Sequence, residues 1–574
     1  MKNDLVPVCC LPPEILVTIL SNVAPLMDFR DDVDPTFLAV NLPAERGKEV
    51  DDIISLIATS QVCRYWRNVA LNCASIWANI WVENPLWTQE MAKRVRGVPL
   101  ELSGPFEDPD TFQSICSLLS SSSPYRRLGI YIPDTCSIDD LLSRPAPTLE
   151  AAVIEVNSSS HGPFPSQIFS QNAPHLRHLR LEGELKYHEI LRSPIMRNLI
   201  HLELRCSDYA ELVPCQSELL DAIGQMPHLE NLCLSNVLCD EPFQLRVSSP
   251  TSPPSDIVQL PNIYTLVLCG FSGSCANFAQ QIRVHPECRF EFEVDHNIEY
   301  EEVPPSATVI PLLSAIPSIS SPPIRALLVD ISSPSVTLWN LPLHVDMIHT
   351  DMSHIHNLTQ KAMRAAIHYV DSGGSAPGPE WDEQELNRDI VTTICEQLHL
   401  DQLQDLVIQY HLPTLKFRLA FWIQFLRNMP RLERLVLHGS PSLPVLALVA
   451  SSSCFISGLI TVSSLEEEDL SSNTNGSSIP VELPLLPHLS SLCLRYWRFR
   501  PDTPFPNCFM DCIYAISSRT VIDRQYALQE LVLVDCEVTE AQVIVLREMG
   551  IAESVTWDGK TTTSILPQNY VEEV

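Results

Sequence analysis

Pro174-His175-Leu176-Arg177-His178-Leu179-Arg180-Leu181 is the stretch from which the fold follows. Leu179 and Leu181, one residue apart, suit a short strand with one buried face. Leu176, three positions earlier, turns inward where the chain enters that strand. The same spacing recurs downstream at Leu199/Leu202/Leu204, Leu229/Leu232/Leu234 and Ile263/Leu266/Leu268. It returns at Leu403/Leu406/Ile408, Leu432/Leu435/Leu437, Leu489/Leu492/Leu494 and Leu528/Leu531/Leu533. Weaker copies are Tyr125/Leu128/Ile130, Leu149/Ala152/Ile154 and Ile324/Leu327/Val329. Half of the clear copies share a lead-in: Pro174-His175, Pro227-His228, Pro430-Arg431 and Pro487-His488.

From Leu149 the lead residues stand 27, 23, 30 and 34 residues apart. That is at or slightly above the period of about 20–29 expected when each repeat supplies one strand and one return segment. No such unit buries its apolar side alone, so stacked copies form a parallel sheet over a continuous core. Return helices are predicted over Ser217–Gly224, Cys275–Val284 and Phe417–Asn428. The fold class is therefore α/β, an irregular solenoid over 121–560. Pro/Ser-rich or polar loops interrupt it at 248–256, 301–323, 371–380 and 463–480, and a tail follows at 561–574.

Residues 8–85 have another grammar. Leu11-Pro12-Pro13-Glu14-Ile15-Leu16 opens a helix, since proline costs nothing in the first turn. Ile15, Leu16, Ile19, Leu20 and Val23 form one stripe. A polar stretch follows from Pro25 to about Val50. Asp51 and Asp52 suit the start of a second helix, carrying Ile53, Ile54, Leu56 and Ile57. A third helix is predicted from Gln61 to about Leu71, with Val62, Trp66, Val69 and Ala70 on one face and Arg64 and Arg67 on the other. Ile76-Trp77 closes the block, and 86–120 reads as a connecting segment.

In this order, Leu11-Pro12-Pro13-Glu14-Ile15-Leu16, Val62-Cys63-Arg64-Tyr65-Trp66-Arg67 and Ile76-Trp77 resemble the F-box, in the form common in fungi. The resemblance covers about 70 residues. This chain departs from the family pattern in the insertion at about 25–50 and in Ile76, where leucine is usual. The region behind it resembles the leucine-rich repeats that commonly follow F-boxes. The resemblance implies a three-helix F-box that binds a Skp-type adaptor and through it a cullin. It implies that Leu11, Pro12, Ile15, Leu16, Val62, Cys63 and Trp66 dock on that adaptor. Association of a helix with an apolar groove rests on a few such anchors.

Composition narrows the alternatives. Asp plus Glu total 70 against 37 Lys plus Arg, a net charge of −33, which repels phosphate backbones and excludes broad nucleic-acid binding. The 19 cysteines include no CxxC pair and read as reduced thiols of a cytoplasmic or nuclear protein. The uncharged stretch Gly439–Leu465 reads as buried rather than membrane-spanning, because Pro441, Pro444 and its serines interrupt it. His344, Asp346, His349, Asp351, His354 and His356 crowd together, but their spacing matches no metal helix. No Gly-rich phosphate cradle and no nucleophile elbow is present. No cofactor, metal or enzymatic activity is expected.

What remains is recognition of an unknown substrate protein. Residues beside and between the close leucines are expected to face water as a binding wall: His178, Arg180, Glu182, His201, Glu203, Arg205, Arg434, His438 and Arg495. The competing reading is an adaptor-independent scaffold in which the helical segment merely caps the repeats.

Overall fold

The structure is a computed structural model of the chain. It describes residues 11–23, 57–105 apart from 59 and 83–84, 124–132, 142–156, 167–183, 190–206, 216–238, 257–295, 324–330, 335–339, 363–370, 400–409, 419–439, 486–497 and 524–559, with a few isolated positions between them. Among the described residues the architecture is mixed α/β, with N-terminal helices and a largely parallel sheet. The chain divides into two compact units, Met1–Cys288 and Arg289–Val574.

The first unit opens with α1 (Pro13–Val23), α2 (Arg64–Asn72) and a 3-10 turn (Ala74–Trp77). Strand β1 (Asn79–Trp81), helix α3 (Pro85–Val95) and β2 (Leu100–Pro105) follow. Then come β3 (Tyr125–Ile132), β4 (Ala151–Val156), β5 (His178–Glu182), β6 (His201–Arg205) and β7 (Asn231–Ser235). Strands β8 (Val258–Leu260), β9 (Thr265–Phe271) and β10 (Ile282–Val284) complete the unit, with α4 (Gln216–Gly224) and α5 (Ser272–Gln280) between them. From β1 to β7, and then to β9, each strand pairs parallel with the next. The sheet thus begins at Asn79, inside the expected helical block, and the expected connecting segment contributes α3 and β2. The predicted return helix at Cys275–Val284 is corrected: α5 ends at Gln280, and Ile282–Val284 pairs parallel with β8.

The second unit contains β11 (Arg289–Asp295), β12 (Ala326–Asp330), β13 (Ser335–Trp339), β14 (Met363–Val370) and β15 (Asp405–Gln409). After α6 (Leu419–Arg427) come β16 (Arg434–His438), β17 (Ser491–Arg495), β18 (Leu528–Val534), α7 (Glu540–Glu548) and β19 (Ala552–Trp557). Strands β15 to β19 pair parallel in order. The weak copy at Ile324 does form a strand, β12, parallel to β15. Its other neighbour is antiparallel, because β12, β13 and β14 run as a meander. That meander departs from the uniform stack the spacing predicts.

Register carries the core. Leu179 and Leu181 face Leu202 and Leu204, then Leu232 and Leu234, then Leu266 and Leu268. Leu406 and Ile408 face Leu435 and Leu437, then Leu492 and Leu494, then Leu531 and Leu533. All of these are buried. The proline lead-in has a physical reason. Leu176 N donates to Ala173 O, Leu229 N to Met226 O, Leu432 N to Met429 O and Leu489 N to Leu486 O. Each bond closes a four-residue turn with proline at its second position, where its fixed φ fits. Leu149 and Ile263 close the same turn around Pro147 and Pro261. Gly183 has φ +136, and a Cβ there would meet Val156 O at 2.9 Å, so no side chain fits.

Of the second predicted helix, only positions 57, 58 and 60 are described, and they are helical. The predicted loops at 248–256, 371–380 and 463–480, the tail, His344–His356 and nearly all of Gly439–Leu465 lie outside the described residues; within 301–323 only Leu312 and Leu313 are described, and they are helical and buried. Among the described residues no helix is long and apolar enough to cross a membrane, and no cluster of metal-ligating side chains occurs.

Candidate functional site

Two places gather side chains whose purpose is not simply the leucine core. At the N-terminal block, α1 starts where Leu16 N donates to Pro12 O at 3.1 Å. Helix α2 is capped by Cys63, whose Sγ accepts from Trp66 N at 3.5 Å. Tyr65 Oη donates to Leu11 O at 2.8 Å, tying α2 to the start of α1 across 54 residues of sequence. Trp77 Nε1 donates to Ala70 O at 2.7 Å. The Arg94 guanidinium of α3 lies 4.5 Å above the Trp77 ring, a cation–π contact. The three blocks quoted from the sequence therefore converge.

Convergence sorts the predicted docking residues. Leu16 (0% exposed) and Trp66 (7%) are interior to the block, while Leu11 and Cys63 are half-buried. Pro12, Ile15 (49%) and Val62 (53%) are exposed. Val62 precedes the cap rather than lying on the helix, which begins at Arg64. Arg64 and Arg67 are exposed. Tyr65 and Arg94 were not singled out by the sequence. An aromatic between two charged or capping positions was the available signal for Tyr65, and Arg94 carried none.

The second place is the face of the sheet opposite the leucine ladder. In the first unit it is ionic. Arg180 Nη2 lies 3.0 Å from Glu155 Oε1 on β4 and 2.8 Å from Glu182 Oε2 on its own strand. Its Nε lies 3.7 Å from Glu203 Oε1 on β6, and Arg205 pairs with Glu203 as well. His201 Nε2 stands 3.7 Å from Glu203 Oε2, and the His178 and His201 rings stack at 6.2 Å. Burial pushes the Glu155 carboxyl up to about 7 against the attraction of Arg180. Burial also acts to raise Glu203, but His201, Arg180 and Arg205 together outweigh it and hold that carboxyl low.

In the second unit the positions at the strand centres, which match Arg180 and Glu203, are apolar. Val407, Val436, Cys493 and Val532 occupy successive strands and cluster with Ala326, Trp339 and Val534. Arg434 pairs with Asp405 on the neighbouring strand, Nη2 to Oδ2 at 2.7 Å. His438 packs edge-on to Tyr496 at 4.8 Å.

These placements correct the expectation of a hydrated wall. Arg180 (5%), His201 (4%), Glu203 (0%), His438 (9%) and Arg495 (3%) are buried, and His178, Glu182, Arg205 and Arg434 are half-buried. Parallel strands about 4.8 Å apart set long polar side chains shoulder to shoulder, so each covers and pairs with the next. The sequence shows the alternation but not the register that makes the pairs.

A family model described as F-box-like matches residues 8–83. No curated protein matches the chain. The match makes the converged helical block an F-box-like domain and supports an F-box protein. F-box domains generally bind Skp-type adaptors, which supports protein–protein interaction and a ubiquitin ligase complex for this end of the chain.

Proposed function

We propose that the chain is a substrate receptor of a cullin–RING ubiquitin ligase. The F-box-like domain docks on a Skp-type adaptor, and through it on a cullin. The repeat region, a leucine-rich-repeat-like solenoid in this reading, holds a substrate protein. The chain performs no bond chemistry itself. Its contribution is proximity, which raises the effective concentration of substrate lysines beside a ubiquitin-charged enzyme. The observation that carries the reading is the F-box-like match to residues 8–83. Exposure of Ile15 and Val62 supports it by leaving apolar anchors at the surface.

The test is co-purification with the adaptor. Ile15→Asp combined with Val62→Asp places charge on exposed anchors and leaves the Leu16–Trp66 interior intact. Adaptor binding is expected to weaken at least about 100-fold, as two anchors of roughly 1.5–2 kcal/mol each imply. Unchanged binding by a folded double variant sinks the docking claim.

One observation favours a second reading, in which the block caps the sheet. Strand β1 lies within the matched residues and pairs parallel with β2, so the helical block is continuous with the first rung. An open end of a stacked sheet exposes core. The two roles are compatible, and the double variant separates them because it leaves β1 untouched.

A further inference from the structure

A cleft of about 390 Å³ lies on the strand-start edge of the first unit, lined by Arg177, Asn198, Ile200, His228, Glu230, Asn262 and Tyr264. Four of these occupy one repeat position, the residue just before β5, β6, β7 and β9. Their amides form a continuous ladder: Ile200 N to Arg177 O, Glu230 N to Ile200 O, and Tyr264 N to Glu230 O, each at 2.8 Å. Their side chains therefore stand in file, one per rung, in the order guanidinium, aliphatic, carboxylate, phenol.

The amides of the flanking row are occupied. Asn198 Nδ2 reaches Pro174 O at 3.4 Å, and Asn262 Nδ2 reaches Pro227 O at 2.7 Å. Arg177 Nη1 donates only to carbonyls, Asn198 O at 3.1 Å and Leu176 O at 3.5 Å. Among the described residues the Glu230 carboxylate meets no hydrogen bond or ion pair, and Arg177 meets no carboxylate. Tyr264 is 46% exposed, yet its ring is braced by His285 at 4.5 Å. Opposite charges and a braced aromatic ring thus share one cleft without satisfying each other.

The second unit shows what this edge looks like when it is closed on itself. There Gln404 Nε2 donates to Glu433 at 3.0 Å, Arg431 to Gln402 at 2.6 Å, and Ser490 Oγ to Glu433 O at 3.2 Å. Equivalent positions pair from rung to rung.

We infer that the Arg177–Tyr264 cleft binds an extended segment of a partner protein that places an acidic side chain on Arg177 and a basic one on Glu230. Arg177 and Glu230 are two rungs apart, roughly 10 Å, which three residues of extended chain in the polyproline-II conformation span with both side chains on one face. One apolar residue of the segment covers Ile200, between the two charges, and another covers Tyr264, one rung beyond Glu230. His228, Glu230, Asn262 and Tyr264 are all exposed, so the cleft cannot enclose a small molecule as ligand pockets do. It suits a chain laid along its floor. This deepens the substrate-holding half of the proposed function and rests on it. Adaptor docking uses other residues, so the two fail separately.

Fluorescent 12-residue peptides measured by anisotropy with the full chain provide the test. One peptide carries Asp and Lys three residues apart, one two Asp and one two Lys. The chain's charge of −33 favours the two-Lys peptide non-specifically. Tighter binding of the mixed peptide, by tenfold or more at about 0.15 M salt, is therefore a stringent sign. Glu230→Lys should abolish that preference and shift it toward the two-Asp peptide. Tyr264→Ala should weaken every peptide, and both variants should still capture the adaptor and melt as wild type does. Equal binding of all peptides, or a preference that survives Glu230→Lys, overturns the inference. Equally tight binding of free lysine would assign the cleft to a small dipolar molecule instead and would overturn it too.

Discussion

Strands β4 to β7 and strands β15 to β18 carry the same buried ladder on one face and opposite chemistry on the other. Between the paired ladder residues the first set places Val153, Arg180, Glu203 and Cys233, with Glu155 reaching Arg180 from the end of β4, and the second places Val407, Val436, Cys493 and Val532. Both rows are buried. The difference teaches that the repeat fixes only one face. The other can be filled by dispersion and desolvation, which need no partner, or by ion pairs, which depend on every neighbour being in place.

That dependence gives the largest expected effect. Glu203→Ala leaves the buried Arg180 and the half-buried Arg205 without their shared carboxylate, and it should destabilise the first unit by roughly 3–5 kcal/mol. Val436→Ala, at the matching position between Leu435 and Leu437, removes methyls and leaves a small void, and should cost about 1–3 kcal/mol. Denaturant unfolding gives the totals, and amide exchange on β5–β7 and β15–β17 assigns them. Equal costs in the two units would dissolve the contrast and would mean that water screens the Arg180–Glu203 cluster.

How much of this was legible depended on which interactions act within one strand. The leucine ladder was legible because Leu179 and Leu181 obey a two-residue period on their own. The turns at Pro174, Pro227, Pro430 and Pro487 were visible as a recurring lead-in, but those at Pro147 and Pro261 stand before copies without the same neighbours. Strand β2 escaped because Leu100–Pro105 lacks the six-residue spacing, and β1 because its copy, Trp77/Ile80/Val82, lies inside the helical block. Burial of Arg180 and Glu203 was not legible at all. It arises from pairing across strands 23 residues apart, and composition alone reads such residues as hydrated. At the helical block the motif was legible, but its division into interior and surface was not. Leu16 and Trp66 resemble anchors as strongly as Ile15 and Val62 do until the Tyr65–Leu11 bond shows how the helices meet.

A second test separates the units by pH. For Glu155 the folded carboxyl is raised, to about 7, above its ordinary value. The folded state then binds the proton more readily than the unfolded chain, so stability falls as pH climbs from about 4.5 to 7. Glu203 has the opposite sign: its lowered carboxyl stabilises above the ordinary range and loses that contribution on acidification. The apolar row of the second unit offers no such change, since burial pushes the Cys493 thiol up to about 12. Opening of β4–β6, followed by amide exchange between pH 5 and 8, should therefore become easier as pH rises, while β15–β17 should show no such loss once intrinsic exchange is corrected. Glu155→Gln should remove the slope in the first unit. If the slope persists in that variant, another group carries it.

The smallest effect belongs to the pair that looks most like the ionic cluster on paper. Arg126 and Glu150 meet at 2.7 Å on neighbouring rungs, closer than Arg180 and Glu155, yet both are nearly half exposed. Water already solvates each charge, so the Coulomb gain is small and salt screens it. Arg126→Ala should change the unfolding free energy of the first unit by under about 1 kcal/mol, with the residue of that effect lost at 1 M salt. Glu203→Ala should keep most of its cost at the same salt, because its partners lie out of reach of the ions. A large, salt-insensitive loss in Arg126→Ala would show that distance rather than burial ranks these pairs, and would remove the physical basis for setting the two faces apart.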